Sequence, residues 1–158
     1  MAEVLWASRW LSVHGEADAD AFFVSGVEVM IVAVDDEDHV LFVEEPSPAF
    51  GSFELFLPGG GVEDHEHVAD AAQRELREET GYRAAELKVV GLIRPWPKYL
   101  RVTSHIVMAR GLTLDPLVPD EAHPLTLHRR PRAEVKAAIT KGEITDGRIV
   151  SAFSLCFP

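Results

Sequence analysis

Between Leu57 and Tyr82 the chain reads LPGGGVEDHEHVADAAQRELREETGY, and no other stretch limits its folding so tightly. Pro58 has no amide hydrogen for a ladder bond, so it closes the strand Glu54-Leu55-Phe56-Leu57 rather than extending it. Gly59, Gly60 and Gly61 follow, and without a Cβ their backbone can turn sharply and come close to a ligand. From Asp64, an expected N-cap, the pattern becomes helical and runs to Gly81, a residue suited to the position just past a helix end. Ala69, Ala72 and Leu76 recur at i, i+3 and i+7, which predicts one apolar stripe facing the core.

The carboxylates of this helix carry the chemistry. At about 100° per residue, Glu75, Glu78 and Glu79 fall within an arc of roughly 100° beside the apolar stripe. Glu75 and Glu79 make an i, i+4 like-charge pair, unfavourable by roughly a few tenths of a kcal/mol. Such a cluster is tolerable when something cationic sits among the carboxylates. Oxygen-only ligands select hard ions, so Mg²⁺ or Mn²⁺ is expected and zinc is not. Glu66 projects to the other side, near Asp70, Arg74 and Arg77, where it is expected to brace the loop through Arg74. His65 and His67 stand at i, i+2, point to different sides and have no cysteine to support a zinc site, so a solvated first turn is expected.

Gly60, Glu66, Arg74-Glu75, Leu76, Glu78-Glu79 and Gly81 stand in the register of the Nudix box, which the stretch closely resembles. The last position is Tyr82, where that family prefers an aliphatic residue. The resemblance implies a Nudix α/β/α sandwich, with a mixed β-sheet between the box helix and C-terminal helices. It further implies metal-dependent hydrolysis of a diphosphate linkage, with Mg²⁺ held by Glu75, Glu78, Glu79 and the backbone carbonyl of Gly59.

At 158 residues the chain is expected to form one domain, residues 1–158, with residues 1–24 as an N-terminal strand or hairpin extension. No apolar run approaches the ~20 residues of a membrane span, and no secretory leader is visible at the N-terminus. Cys156 is the only cysteine. It excludes an intrachain disulfide, makes a cytoplasmic location the expectation, and is read as a buried, inert thiol. The formal charge of −11 argues against a nucleic-acid partner. It also makes a metal and a polyphosphate substrate explain each other, because only bound cations would reverse the sign of an acidic site.

Along the rest of the chain, Trp6 to Val13 and Ala21 to Val24 are expected to form strands of a small hairpin or meander. Val27 to Val34 is a central strand, Asp35 to Asp38 a solvated hairpin loop, and Val40 to Val43 the next strand. Pro46 to Ser52 is a loop and a candidate rim of the pocket. Strands follow at Glu86–Ile93 and Ser104–Ala109. The loop Arg94-Pro95-Trp96-Pro97-Lys98-Tyr99 between them offers Trp96 and Tyr99 to stack on a base, and Lys98 or Arg101 to meet phosphate. Leu125 to His128 is a last strand. A helix begins near Pro131, and Asp146-Gly147 opens a final amphipathic segment from Ile149 to Phe157.

Outside the box the chain is similar to the Nudix branch that cleaves ADP-ribose and related ADP compounds. Pro97 lies fifteen residues past Tyr82, where that branch has a proline. The strand Ile106–Ala109, the Asp120-Glu121 loop, Gly142-Glu143-Ile144 and Arg148 to Ala152 also resemble it. The chain departs from the branch at Glu44-Glu45-Pro46, where many members carry arginine or a Gln-Tyr-Arg run. The implied substrate is an ADP-linked small molecule. Gly60, Trp96, Lys98, Tyr99 and Arg101 are candidate substrate-binding residues, with Glu75, Glu79 and Glu121 as catalytic candidates. Either Glu75 or Glu121 would serve as the base. A homodimer joined through Trp6, Trp10, Phe22 and Phe23 is expected. The alternatives are a Nudix hydrolase of nucleoside triphosphates or dinucleoside polyphosphates, and a catalytically silent nucleotide-binding module.

Overall fold

Alternate residues of one strand divide the core into two. In β3 (Phe22–Ala33), Met30 and Val32 pack into one apolar cluster, while Val29, Ile31 and Ala33 pack into another. All five are buried because a layer of helix covers each face of the sheet. On one face lies α1 (Val68–Thr80), through Ala71, Ala72 and Leu76. On the other lie α2 (Arg132–Lys141) and α3 (Gly147–Cys156), through Val135, Ile149, Ala152 and Phe153. This computed structural model describes residues 3–8, 11–15, 21–118 and 125–158.

The larger sheet is mixed, as expected. Its strand order is β1 (Glu3–Ala7), β2 (Ser12–Gly15), β3, β8 (Leu100–Leu114), β7 (Tyr82–Ile93), and the short β6 (Gly59–Gly61) pairs with β3. The β3–β8 pair is parallel and the other pairs are antiparallel. A second, three-stranded sheet runs β5 (Ser52–Phe56), β4 (His39–Ser47), β9 (Thr126–Pro131). Asp35 to Asp38 makes the turn between β3 and β4, with Asp35 Oδ1 accepting from the amides of Glu37 and His39 at 2.9 and 3.0 Å.

Three local expectations are corrected. Trp6 to Val13 is not one strand: Ser8 N donates to Leu11 O at 2.8 Å and turns β1 back onto β2. The box helix is capped by His67 rather than Asp64. Glu66 N instead closes a turn onto Glu63 O at 3.0 Å, and His65 adopts a left-handed φ of 69° that interrupts a helical run. Starting at Val68, the helix turns Ala71, Ala72, Glu75 and Leu76 inward and leaves Ala69 exposed. At the other end Gly81 takes a φ of 76° and its amide donates to Arg77 O, the expected left-handed cap. Cys156 is partly covered, and burial pushes its thiol up to about 11. No helix among the described residues is long and apolar enough to cross a membrane.

Candidate functional site

The glycine strand β6 lies antiparallel to β3, with Met30, Val29 and Glu28 opposite Gly59, Gly60 and Gly61. Ile31 N donates to Pro58 O and Val62 N to Val27 O, at 2.8 and 3.0 Å. Those bonds fix the ladder alternation, so the amide and carbonyl of Gly59 and Gly61 turn away from β3. They meet the side chains of α1. Gly59 N donates to Glu79 Oε2 at 2.9 Å, and Gly61 O accepts from Arg74 Nη2 at 2.9 Å. The close approach requires glycine twice over. A Cβ on Gly59 would strike the Val29 carbonyl, and one on Gly60 would sit 2.7 Å from Glu75 Oε2.

Arg74 is the cation among the carboxylates. Its Nε and Nη2 donate to Glu66 at 3.0 Å each, while Nη1 donates to Glu75 Oε1 at 2.7 Å and to Glu78 Oε2 at 3.1 Å. Glu66 in turn accepts from Glu63 N at 3.0 Å and so ties the loop before α1. The Arg74 guanidinium holds the Glu66 carboxyl below its usual range. Glu66, followed by Glu75, keeps Arg74 more firmly protonated than an ordinary arginine. Glu75 is only 6% exposed, because it shares the inward face of α1 with Leu76.

These donors fit a hard divalent ion. They are all oxygens, Glu75 and Glu78 already share one cationic nitrogen, and the Gly59 carbonyl opens to the same edge of β6. Among the described residues no three acidic, histidine or cysteine side chains close around one point, and Arg74 Nη1 is the group that Glu75 and Glu78 share.

Beside Gly59 and Gly60 lies a cleft of about 900 Å³ walled by β4, β5 and the segment before α3. Phe42, Leu57 and Ile149 give it an apolar floor, and Glu45, Arg130, Glu143 and Arg148 give it charge. Of the expected rim, Pro46 to Ser52, the cleft is lined by Pro46, Ser47, Pro48 and Phe50; Phe53 follows it, and Phe50 and Phe53 are 82% and 69% exposed. Burial raises the Glu45 carboxyl above its usual range, with Arg148 opposing the shift.

A second cleft of about 620 Å³ is lined by Trp96, Leu100 and Ser151. Trp96 packs edge-on against Tyr99 with centroids 5.0 Å apart, and Lys98 Nζ lies 4.9 Å from the Tyr99 ring. Arg101 stacks over Phe22 at 4.6 Å. Lys98, Tyr99 and Arg101 line neither of these clefts. Glu121 and Trp10 lie outside the described residues.

Sequence reasoning gave no role to Glu28 and met Arg148 only as the start of a segment resembling the ADP-compound branch, yet both residues line both clefts. Glu28 carried a signal: it is a lone carboxylate inside the apolar run Val27 to Val34. It accepts from the buried Ser104 Oγ at 2.5 Å, across the parallel β3–β8 pairing. Arg148 carried little, because only the fold brings the first turn of α3 beside Phe56.

A NUDIX domain model matches residues 24–148. The chain is 34% identical over 127 residues to the ADP compounds hydrolase NudE of Escherichia coli, covering 80% of this chain and 68% of that one. It is 33% identical over 102 residues to the ADP-sugar pyrophosphatase of Mus musculus, covering 65% of this chain and 45% of that one. The chain thus spans about two thirds of the first relative and less than half of the second. A crystal structure described as an ADP compounds hydrolase superposes with a TM-score of 0.81 at 28% identity, covering 99% of this chain and 89% of that one.

Proposed function

This chain belongs to the Nudix family, and from that membership we propose that it hydrolyses the diphosphate linkage of an ADP-linked small molecule, ADP-ribose or a related compound. The observation that carries the reading is the junction of β6 and α1. Gly59 donates to Glu79 and Gly60 lies against Glu75, at the edge of a cleft of about 900 Å³. Similarity to an ADP compounds hydrolase and an ADP-sugar pyrophosphatase supports the ADP compound over a nucleoside triphosphate or a dinucleoside polyphosphate.

Glu75, Glu78, Glu79 and the Gly59 carbonyl would hold Mg²⁺, with Mn²⁺ as the alternative. When bound, such an ion supplies positive charge to the diphosphate oxygens and acidity to the attacking water. The water oxygen attacks one phosphorus, the bridging P–O bond breaks, and the departing phosphate carries away that electron pair. A carboxylate of Glu75 or Glu121 takes the water proton. Glu79 keeps the β6 backbone in place through the Gly59 amide. Glu66 and Arg74 hold the loop and the helix together, with Arg74 reaching from Glu66 to Glu75 and Glu78.

The test is a Mg²⁺-dependent hydrolysis screen over ADP-ribose, NADH, dinucleoside triphosphates and nucleoside triphosphates, with products identified by mass. Glu79→Gln keeps the side chain's shape and removes its charge. It is expected to lower turnover of the best ADP compound by roughly a hundred-fold or more, about 3 kcal/mol of transition-state stabilisation. Unchanged turnover in that variant would defeat the catalytic reading. A preference for nucleoside triphosphates would defeat the substrate reading alone.

A further inference from the structure

The two clefts are not independent. Three residues line both of them: Glu28, Asp146 and Arg148. Glu28 stands opposite Gly61 in the β3–β6 register, so this junction adjoins the glycine strand. A diphosphate-linked compound has two arms and one linkage, and two clefts that meet at Glu28, Asp146 and Arg148, next to the glycine strand, match that shape. We propose that Arg148 is a specificity-determining residue that grips the diphosphate at the junction, with one arm of the substrate in each cleft. The proposal rests on the hydrolysis of ADP-linked compounds argued above.

The guanidinium is organised for that contact. Asp146 caps α3 by accepting from Arg148 N at 2.8 Å. The same carboxylate accepts from Arg148 Nε at 3.4 Å and from Nη2 at 3.1 Å. The guanidinium carbon also lies over the Phe56 ring, 5.9 Å from its centroid. Nη1 donates to no protein group among the described residues, and this leaves its hydrogens for an anion. A guanidinium already held by its neighbours loses little freedom on binding, and its planar fork suits phosphate oxygens. Arg130 is the other cation of the larger cleft, and it does not reach the second. The remaining charged groups at the junction, Glu28 and Asp146, are carboxylates that would repel a diphosphate. Asp146 is a positioning residue, acting through Arg148.

Isothermal titration of the full chain with Mg²⁺ present, using the non-hydrolysable α,β-methylene-ADP and adenosine, tests the assignment. Arg148→Gln is expected to weaken α,β-methylene-ADP by about ten-fold or more and to leave adenosine unchanged. Arg148→Lys, which keeps the charge without the fork, falls between the parent and Arg148→Gln. Asp146→Asn weakens the diphosphate ligand alone, and by less than Arg148→Gln. Melting temperatures show that α3 remains docked, and the lysine variant serves where the glutamine variant does not fold. Equal losses for both ligands, or none for either, would overturn the role of Arg148 while leaving ADP-compound hydrolysis standing. Failure of the unaltered chain to bind α,β-methylene-ADP would overturn both.

Discussion

Glu75 lies against Gly60 so closely that its carboxylate fills the space a side-chain carbon there would need. A buried acid on α1 meets the backbone of β6 only because residue 60 has no side chain. Gly60→Ala must displace Glu75 or lift the strand. It is expected to cost about 1–3 kcal/mol of stability. Turnover should fall further than that loss explains, because misplacing a reacting group by about an ångström can lower a rate about a hundred-fold. Melting and single-turnover rates read the two effects separately. A variant melting like the parent with full turnover would show that the contact does not matter.

Arg74 makes a second prediction. Its Nη1 lies between Glu75 and Glu78, so Arg74→Gln leaves those acids facing each other. Without divalent ions the variant is expected to lose about 2–3 kcal/mol. Mg²⁺ or Mn²⁺ should raise its melting temperature by more than it raises the parent's. Glu78→Gln with Glu79→Gln should abolish the shift in either background. A metal response undiminished by that double change would move the ion elsewhere.

Glu66 sets the third, through pH. Its folded pKa lies below the unfolded value because Arg74 favours the charged form. The resulting stability is therefore complete above the unfolded value, about pH 4.3, and is lost as pH falls through the folded pKa. Glu66→Gln is expected to melt lower than the parent at pH 7, with the two curves converging only as pH falls through the lowered folded pKa. Turnover at permissive temperature should change much less than in Glu79→Gln. Curves that stay parallel down to acid would remove the charge from the explanation.

Glu45 runs the other way. Burial raises its folded pKa, and Glu54 stands opposite it across β4 and β5. The resulting instability is complete above the folded pKa and disappears as pH falls below the unfolded one. Glu45→Gln should therefore raise the melting temperature at pH 7, with no gain in acid. A loss at neutral pH would mean that the carboxylate makes a favourable contact.

What the sequence disclosed was local. Gly81 predicts the end of α1, and the spacing of Glu75, Glu78 and Glu79 predicts one flank of it, because helix geometry alone relates those positions. The start of α1 was misplaced at Asp64, since the Glu63–Glu66 turn that delays it depends on Arg74 eight residues later. The sequence predicts Arg74 only as the residue through which Glu66 braces the loop. Its hold on Glu75 and Glu78 depends on where the guanidinium reaches once the helix has docked. The second cleft was half visible through Trp96, yet its other wall comes from α3, more than fifty residues away in the chain.

The parallel pairing of β3 with β8 has a further consequence, for the order of folding. The adjoining β7–β8 hairpin can form early, as its strands are neighbours in sequence. Val29 and His105 must instead close a long loop before they pair, and loop closure of that kind slows a folding reaction. Val29 is also the partner of Gly60. Until β3 docks, the glycines have no template and the acids of α1 have no backbone to meet. Amide exchange at Val62, which donates to Val27 of β3, should accordingly follow the docking of β3, even while α1 is already protected.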